Sequence, residues 1–137
     1  MLALGTAGIA LAGTSPAQYR AQATTICKGT SAKLAKVKSP QVPKDVNPFL
    51  KAAVPIFQEQ HDKLGKLTPP KIYKFLHKKV LTLEQEQIDG LKDVISKVDK
   101  GGDPKKTFTA AEGKLGPIAD AETAAWKKLR VPACANL

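Results

Sequence analysis

At 137 residues, 42% hydrophobic and 25% charged, the chain suits one domain with a two-layer core and is too ordinary in composition for disorder, collagen or a multipass membrane protein. Aromatic residues make up only 5%, so a core of Leu, Ile, Val and Ala favours helix-on-helix packing over a β-sandwich. The formal charge of +10 is lopsided: residues 15–79 carry 13 Lys and Arg against 3 Asp and Glu, and residues 80–137 carry 9 of each, so all the net charge sits in the first half.

Residues 1–14 read as a signal peptide. Met1 to Gly13 is small and apolar, and Ala10-Leu11-Ala12 has the form a signal peptidase accepts. The run falls short of the roughly 20 apolar residues a membrane span needs. No Lys or Arg precedes Arg20, whereas a signal peptide ordinarily opens with positive charge, so the true start is expected upstream of Met1. The competing reading, a buried first helix, is weakened by Gly5, Gly8 and Gly13.

Residues 15–137 are expected to form one helical-bundle domain. Ser15-Pro16 is a cap pair for a first helix running to about Val37, with Tyr19, Ala23, Ile26, Thr30, Leu34 and Val37 on one face and Cys27 at its border. Pro40 and Pro43 make a stiff connector. Asn47-Pro48 is expected to cap a second helix whose face carries Phe49, Ala53, Ile56, Gln60, Leu64 and Leu67, bent but not broken by Pro55. After the Thr68-Pro69-Pro70 turn, a third helix is expected from about Pro70 to Asp99, with Ile72, Leu76, Val80, Leu83, Leu91, Val94, Ile95 and Val98 inward. Gly101-Gly102 stops it. Asp103-Pro104 opens a fourth, with Phe108, Ala111, Leu115, Ile118, Ala125 and Leu129 inward, which ends at Val131-Pro132 and leaves Cys134 in a short tail.

Short connections make successive helices antiparallel neighbours, so the fold class is all-α, an up-down-up-down four-helix bundle. In an exported protein two cysteines allow one pairing, Cys27–Cys134, which this topology brings within reach. Closing so long a loop stabilises the fold by roughly 4.7 kcal/mol in the chain-entropy account.

Taken in order, Tyr19 with Ile26-Cys27-Lys28, Pro55 inside a helix, Leu64 and Leu67 before Pro69-Pro70, and a lone Cys134 near the end give the chain a likeness. It resembles the small secreted or lipid-anchored helical proteins of unknown function from actinobacteria. The resemblance implies export, a helical fold and the disulfide, and lends no catalytic or ligand residue. Many such proteins carry a Leu-Ala-Gly-Cys lipobox; here Leu11-Ala12-Gly13-Thr14 lacks the cysteine for a thioether anchor.

No assembled catalytic set is legible, so the chain is expected not to be an enzyme and to need no cofactor. His61 and His77 sit in no nucleophile motif, and there is no phosphate-cradling glycine loop. The two histidines are equidistant from Pro69 and would bind a divalent transition metal weakly if they converged; otherwise they are boundary residues. Glu86, Asp89 and Asp93 share a helix side, read as a solvated face with Asp93 paired to Lys97. Glu122 falls within an apolar stripe one turn before Trp126, and would need a partner such as Arg20 if buried.

Lys71, Lys74 and Lys78 lie opposite the third helix's apolar stripe, and the chain's only arginines are Arg20 and Arg130, which in an exported protein argues against nucleic acid. They suit attraction to an anionic surface. The expectation is a secreted, non-enzymatic interaction or structural protein whose lysine-rich face meets the anionic cell envelope or an acidic partner. The alternative is an extracytoplasmic small-ligand or metal carrier, recognisable by a preformed cavity with convergent polar groups.

Overall fold

Ser15 opens the first helix with a capping box: its hydroxyl accepts from the Gln18 backbone N–H at 3.1 Å, and the Gln18 side chain accepts from the Ser15 N–H at 2.9 Å. The computed structural model describes residues 14–137; the expected export segment, residues 1–14, lies outside them apart from Thr14. Five helices follow: α1 (Pro16–Leu34), α2 (Val46–Gly65), α3 (Lys74–Asp99), α4 (Pro104–Leu129) and a short α5 (Pro132–Ala135). Among the described residues there is no strand. The fold is the expected four-helix bundle.

The ends of the elements depart from the sequence reading for local reasons. A 3₁₀ turn at Pro43–Asp45 leads straight into α2, so Asn47 is a buried helical residue rather than a cap. Its Nδ2 donates to Asp99 Oδ1 at 2.9 Å, joining the start of α2 to the end of α3. A second 3₁₀ turn, Lys71–Tyr73, delays the start of α3 to Lys74. Both α2 through Pro55 and α4 through Pro117 run unbroken. Gly101, with φ of 97°, makes the left-handed turn between α3 and α4. The tail after Val131 is helical rather than irregular, because Pro132 sits at the first helical position of α5.

Helices α1, α2, α3 and α4 pack in sequence order, and the ring closes through α5, which touches both α4 and α1. Lys33, in the last turn of α1, pairs with Glu59 in the second half of α2. So α1 covers only the half of the bundle away from Asn47, and the Pro43–Asp45 turn lies against α4 at the other half. The buried core groups Tyr19, Ala23 and Cys27 of α1 with Leu64, Val80, Trp126, Leu129, Val131 and Cys134. Cys27, expected at the border of its stripe, is at its centre. It is bonded to Cys134, with the two Cα atoms 5.2 Å apart.

Candidate functional site

Two regions depart from the ordinary rule of apolar inside and charged outside. The first is the turn between α2 and α3. From Lys63 to Lys79 the sequence holds six lysines and no carboxylate. Lys63 pairs with Glu59, while Lys66, Lys71, Lys74, Lys78 and Lys79 make no ion pair with a described carboxylate. Lys71, Lys74 and Lys78 are all exposed, as the sequence predicts. Among them stand Ile72, 72% exposed, and Phe75, 77% exposed. Ile72 was expected in the core stripe; the 3₁₀ turn breaks the α-helical phase at residue 73, so the stripe begins only at Leu76 and His77.

The turn is held from behind. Tyr73 stacks at a tilt on Tyr19, centroids 5.6 Å apart, and its hydroxyl accepts from Arg20 Nη1 at 2.9 Å. Those contacts fix the start of α1, where the chain enters from residue 14, at this same end of the bundle. The end of α4 brings Lys127, Lys128 and Arg130 there too. His77 lies just inside. Tyr19 Oη and His77 Nδ1 are 2.8 Å apart in the interior. Burial holds the imidazole below its ordinary value and pushes the phenol up, so the neutral ring accepts and the phenol donates.

The second region is a cavity of about 150 Å³ between α2, α3 and α4, closed on one side by the residues of α5 and beyond. Phe57, Ile88, Leu91 and Ala119 supply its apolar wall; Gln60, Glu84, Gln87, Glu122 and Thr123 supply its polar one. Glu84 is only 5% exposed. Burial pushes its carboxyl up to about 8, partly offset by the Gln60 amide and reinforced by the Glu122 charge. Gln60 Nε2 donates to Glu84 Oε1, and His61 Nδ1 lies 3.3 Å from Oε2. Burial raises Glu122 as well, against donation from Trp126 Nε1 at 3.1 Å and from Gln87 Nε2. Gln60, 3% exposed, leaves its Oε1 buried without a partner.

The partner foreseen for Glu122, Arg20, is instead on Tyr73. Trp126 and Gln87 take its place, because α1 does not border this part of α4. His61 and His77 are engaged by different helices: His61 faces Glu84, seven residues along α3 from His77, a rise of about 10 Å. The turn pivots near residue 72 rather than at Pro69, which sets the two imidazoles at different heights. Among the described residues no three His, Cys, Asp or Glu side chains are grouped to hold a metal ion. Asp93 pairs with Lys97 at 2.6 Å, as its spacing predicts, and Glu86 and Asp89 are exposed.

Glu84 and Gln87 were not legible as site residues. The signal was there: His77, Val80, Glu84 and Ile88 follow one another at three-and-four spacing, so a carboxylate lay in phase with the core. Gln60 already stood in the second helix's inward face. No described helix is long and apolar enough to cross a membrane. No family model, curated protein or solved structure matches the chain.

Proposed function

We propose that this is an exported, non-enzymatic protein that docks reversibly on an anionic lipid surface through the α2–α3 turn. One observation carries the reading: two large apolar side chains, Ile72 and Phe75, project into solvent from within a field of unpaired lysines. Lysines alone would be a solvated face; apolar side chains alone would be a liability for association. Together they match an interface that is negative at its surface and apolar just beneath. The resemblance to small exported actinobacterial proteins agrees with an exported setting. The disulfide is in keeping with an extracytoplasmic setting.

The magnitudes are adequate. At about 1 kcal/mol for each lysine near the surface and roughly 1.5 kcal/mol for each partly inserted side chain, the turn supplies on the order of 5–8 kcal/mol, a reversible attachment. Co-sedimentation with vesicles of phosphatidylglycerol and phosphatidylcholine tests it. The protein is expected to pellet with the mixed vesicles at low salt, to be released as salt rises, and to stay in solution with phosphatidylcholine alone. Equal binding to both, or none to either, contradicts the proposal. The cavity favours a second reading, a small-ligand carrier.

A further inference from the structure

The docking turn holds one cation unlike its lysines. Arg20 reaches it from the start of α1, where Nη1 donates to Tyr73 Oη at 2.9 Å, between Ile72 and Lys74 in sequence. That bond uses one of the five N–H groups of the guanidinium. Among the described residues no carboxylate pairs with Arg20. Nor does the sequence offer one nearby: the first acidic residue of the chain is Asp45, and none lies between Lys63 and Lys79. Nε and Nη2 have no acceptor among the described residues, yet no nitrogen of Arg20 is buried without a partner, so both are open to solvent. A half-buried arginine is ordinarily paired with an acid. Here it is held instead by a phenol, whose own proton goes to no described acceptor and whose ring is fixed by its tilted stack on Tyr19. The outcome is an oriented donor fork, reachable from outside, with no anion on it.

We propose that Arg20, oriented by Tyr73, grips the phosphate of a lipid headgroup when the turn docks. The inference rests on the lipid-docking reading and adds to it the group that is recognised. Lysines are point charges that gather a protein to any anionic surface. A guanidinium presents parallel N–H groups that match two oxygens of one phosphate, and the Tyr73 hydroxyl proton is a further donor beside them. The placement suits that role. Tyr73 lies between Ile72 and Phe75 in sequence, so the side chains that enter the lipid carry the fork to the depth of the headgroups. A phosphate free in solution is a poorer occupant, because the fork alone would have to hold it. At a docked surface the turn keeps headgroup phosphates against the fork at high local concentration.

Binding of the oxidised protein to vesicles of phosphatidylglycerol and phosphatidylcholine, across a salt series, tests the fork with three variants. Arg20→Lys keeps the charge and loses the fork; it should bind about tenfold more weakly than the parent. Lys71→Gln removes a charge outside the fork, and its effect should fade as salt screens it, while the loss from Arg20→Lys persists. Tyr73→Phe keeps the ring on Tyr19 but removes the oxygen that orients the guanidinium; it should weaken binding about threefold and melt with the parent. Inorganic phosphate at about 10 mM should release no more protein than sodium chloride of equal ionic strength. Parent-like binding by Arg20→Lys or by Tyr73→Phe overturns the proposal. So does an Arg20→Lys loss that fades with salt in step with Lys71→Gln, or selective release by inorganic phosphate. A parent that binds no vesicles would remove docking and the fork together, whereas a parent that docks no better than these variants would remove the fork alone.

Discussion

The α2–α3 turn and the mid-bundle cavity invert the same rule in opposite directions, one placing apolar side chains in water and the other placing carboxyl groups out of it. The costs differ. Ile72 and Phe75 are exposed in the folded and the unfolded chain alike, so leaving them there hardly touches folding stability. Glu84 and Glu122 lose hydration only on folding, so their placement is a direct charge on stability. A surface inversion therefore shows in association and an interior one in the stability of the fold, and each can be probed without disturbing the other.

The largest expected effect concerns the wall shared by the core and the cavity. Cys134 lines the cavity and is bonded to Cys27, and α5 is the element that closes the ring between α4 and α1. Reduction, or Cys27→Ser with Cys134→Ser, should lower stability to denaturant by about 4–5 kcal/mol. Exchange protection should fall first in α5. Unchanged unfolding midpoints with and without reductant would show that the ring is held by packing alone.

Next comes the cavity itself. The folded-state carboxyl of Glu84 lies at about 8 against an ordinary 4.5, so between those values the folded chain holds a proton that the unfolded chain has lost. The contribution of Glu84 to stability is then greatest below about 4.5 and falls as pH rises through 8, at no more than about 1.4 kcal/mol per unit. The groups facing Glu84 are His61, Gln60 and Asp62 from α2 and Glu122 from α4. Glu122 is raised by burial and acts in the same direction. His77, two turns earlier on α3, is lowered by burial and acts in the opposite direction below about 6.5. The clean window is therefore pH 6.5 to 8. Glu84→Gln should flatten the loss of stability there and exceed the parent by about 1–3 kcal/mol at pH 8. Parallel profiles for the two proteins across that window would remove the interior half of the comparison.

The smallest expected effect on stability is at the turn. Ile72→Ser with Phe75→Ser should change unfolding free energy by less than about 0.5 kcal/mol, while vesicle binding weakens at least tenfold. A stability loss of about 2 kcal/mol or more would mean that these side chains are part of the core.

How much of this was legible in the sequence follows from what periodicity can see. Ser15 and Asp103 marked true caps, and both cap as side chains do: Asp103 Oδ1 accepts from the Lys106 N–H at 2.8 Å. The pairing of Cys27 with Cys134 followed from topology. Asn47 misled because a 3₁₀ turn extends α2 backwards past it. Ile72 misled because a hydrophobic residue in helical phase is indistinguishable in sequence from one in a 3₁₀ turn that faces water. Glu84 was missed for the converse reason: a stripe drawn through apolar residues steps over a buried carboxyl in the same phase. The lysines Lys71, Lys74 and Lys78 were legible because exposure opposite a stripe needs only the helical period.

The docking claim is tested most directly by the emission of a tryptophan placed at the turn. Trp126, the only tryptophan of the chain, is 1% exposed and should not change its emission when vesicles are added. Phe75→Trp adds an indole at the position proposed to enter the lipid. On phosphatidylglycerol vesicles at low salt, the variant's emission should shift to the blue and become quenchable by brominated acyl chains, and both changes should reverse when salt is raised. An emission that stays at its water-exposed wavelength while the protein co-sediments with the vesicles would contradict insertion at this turn.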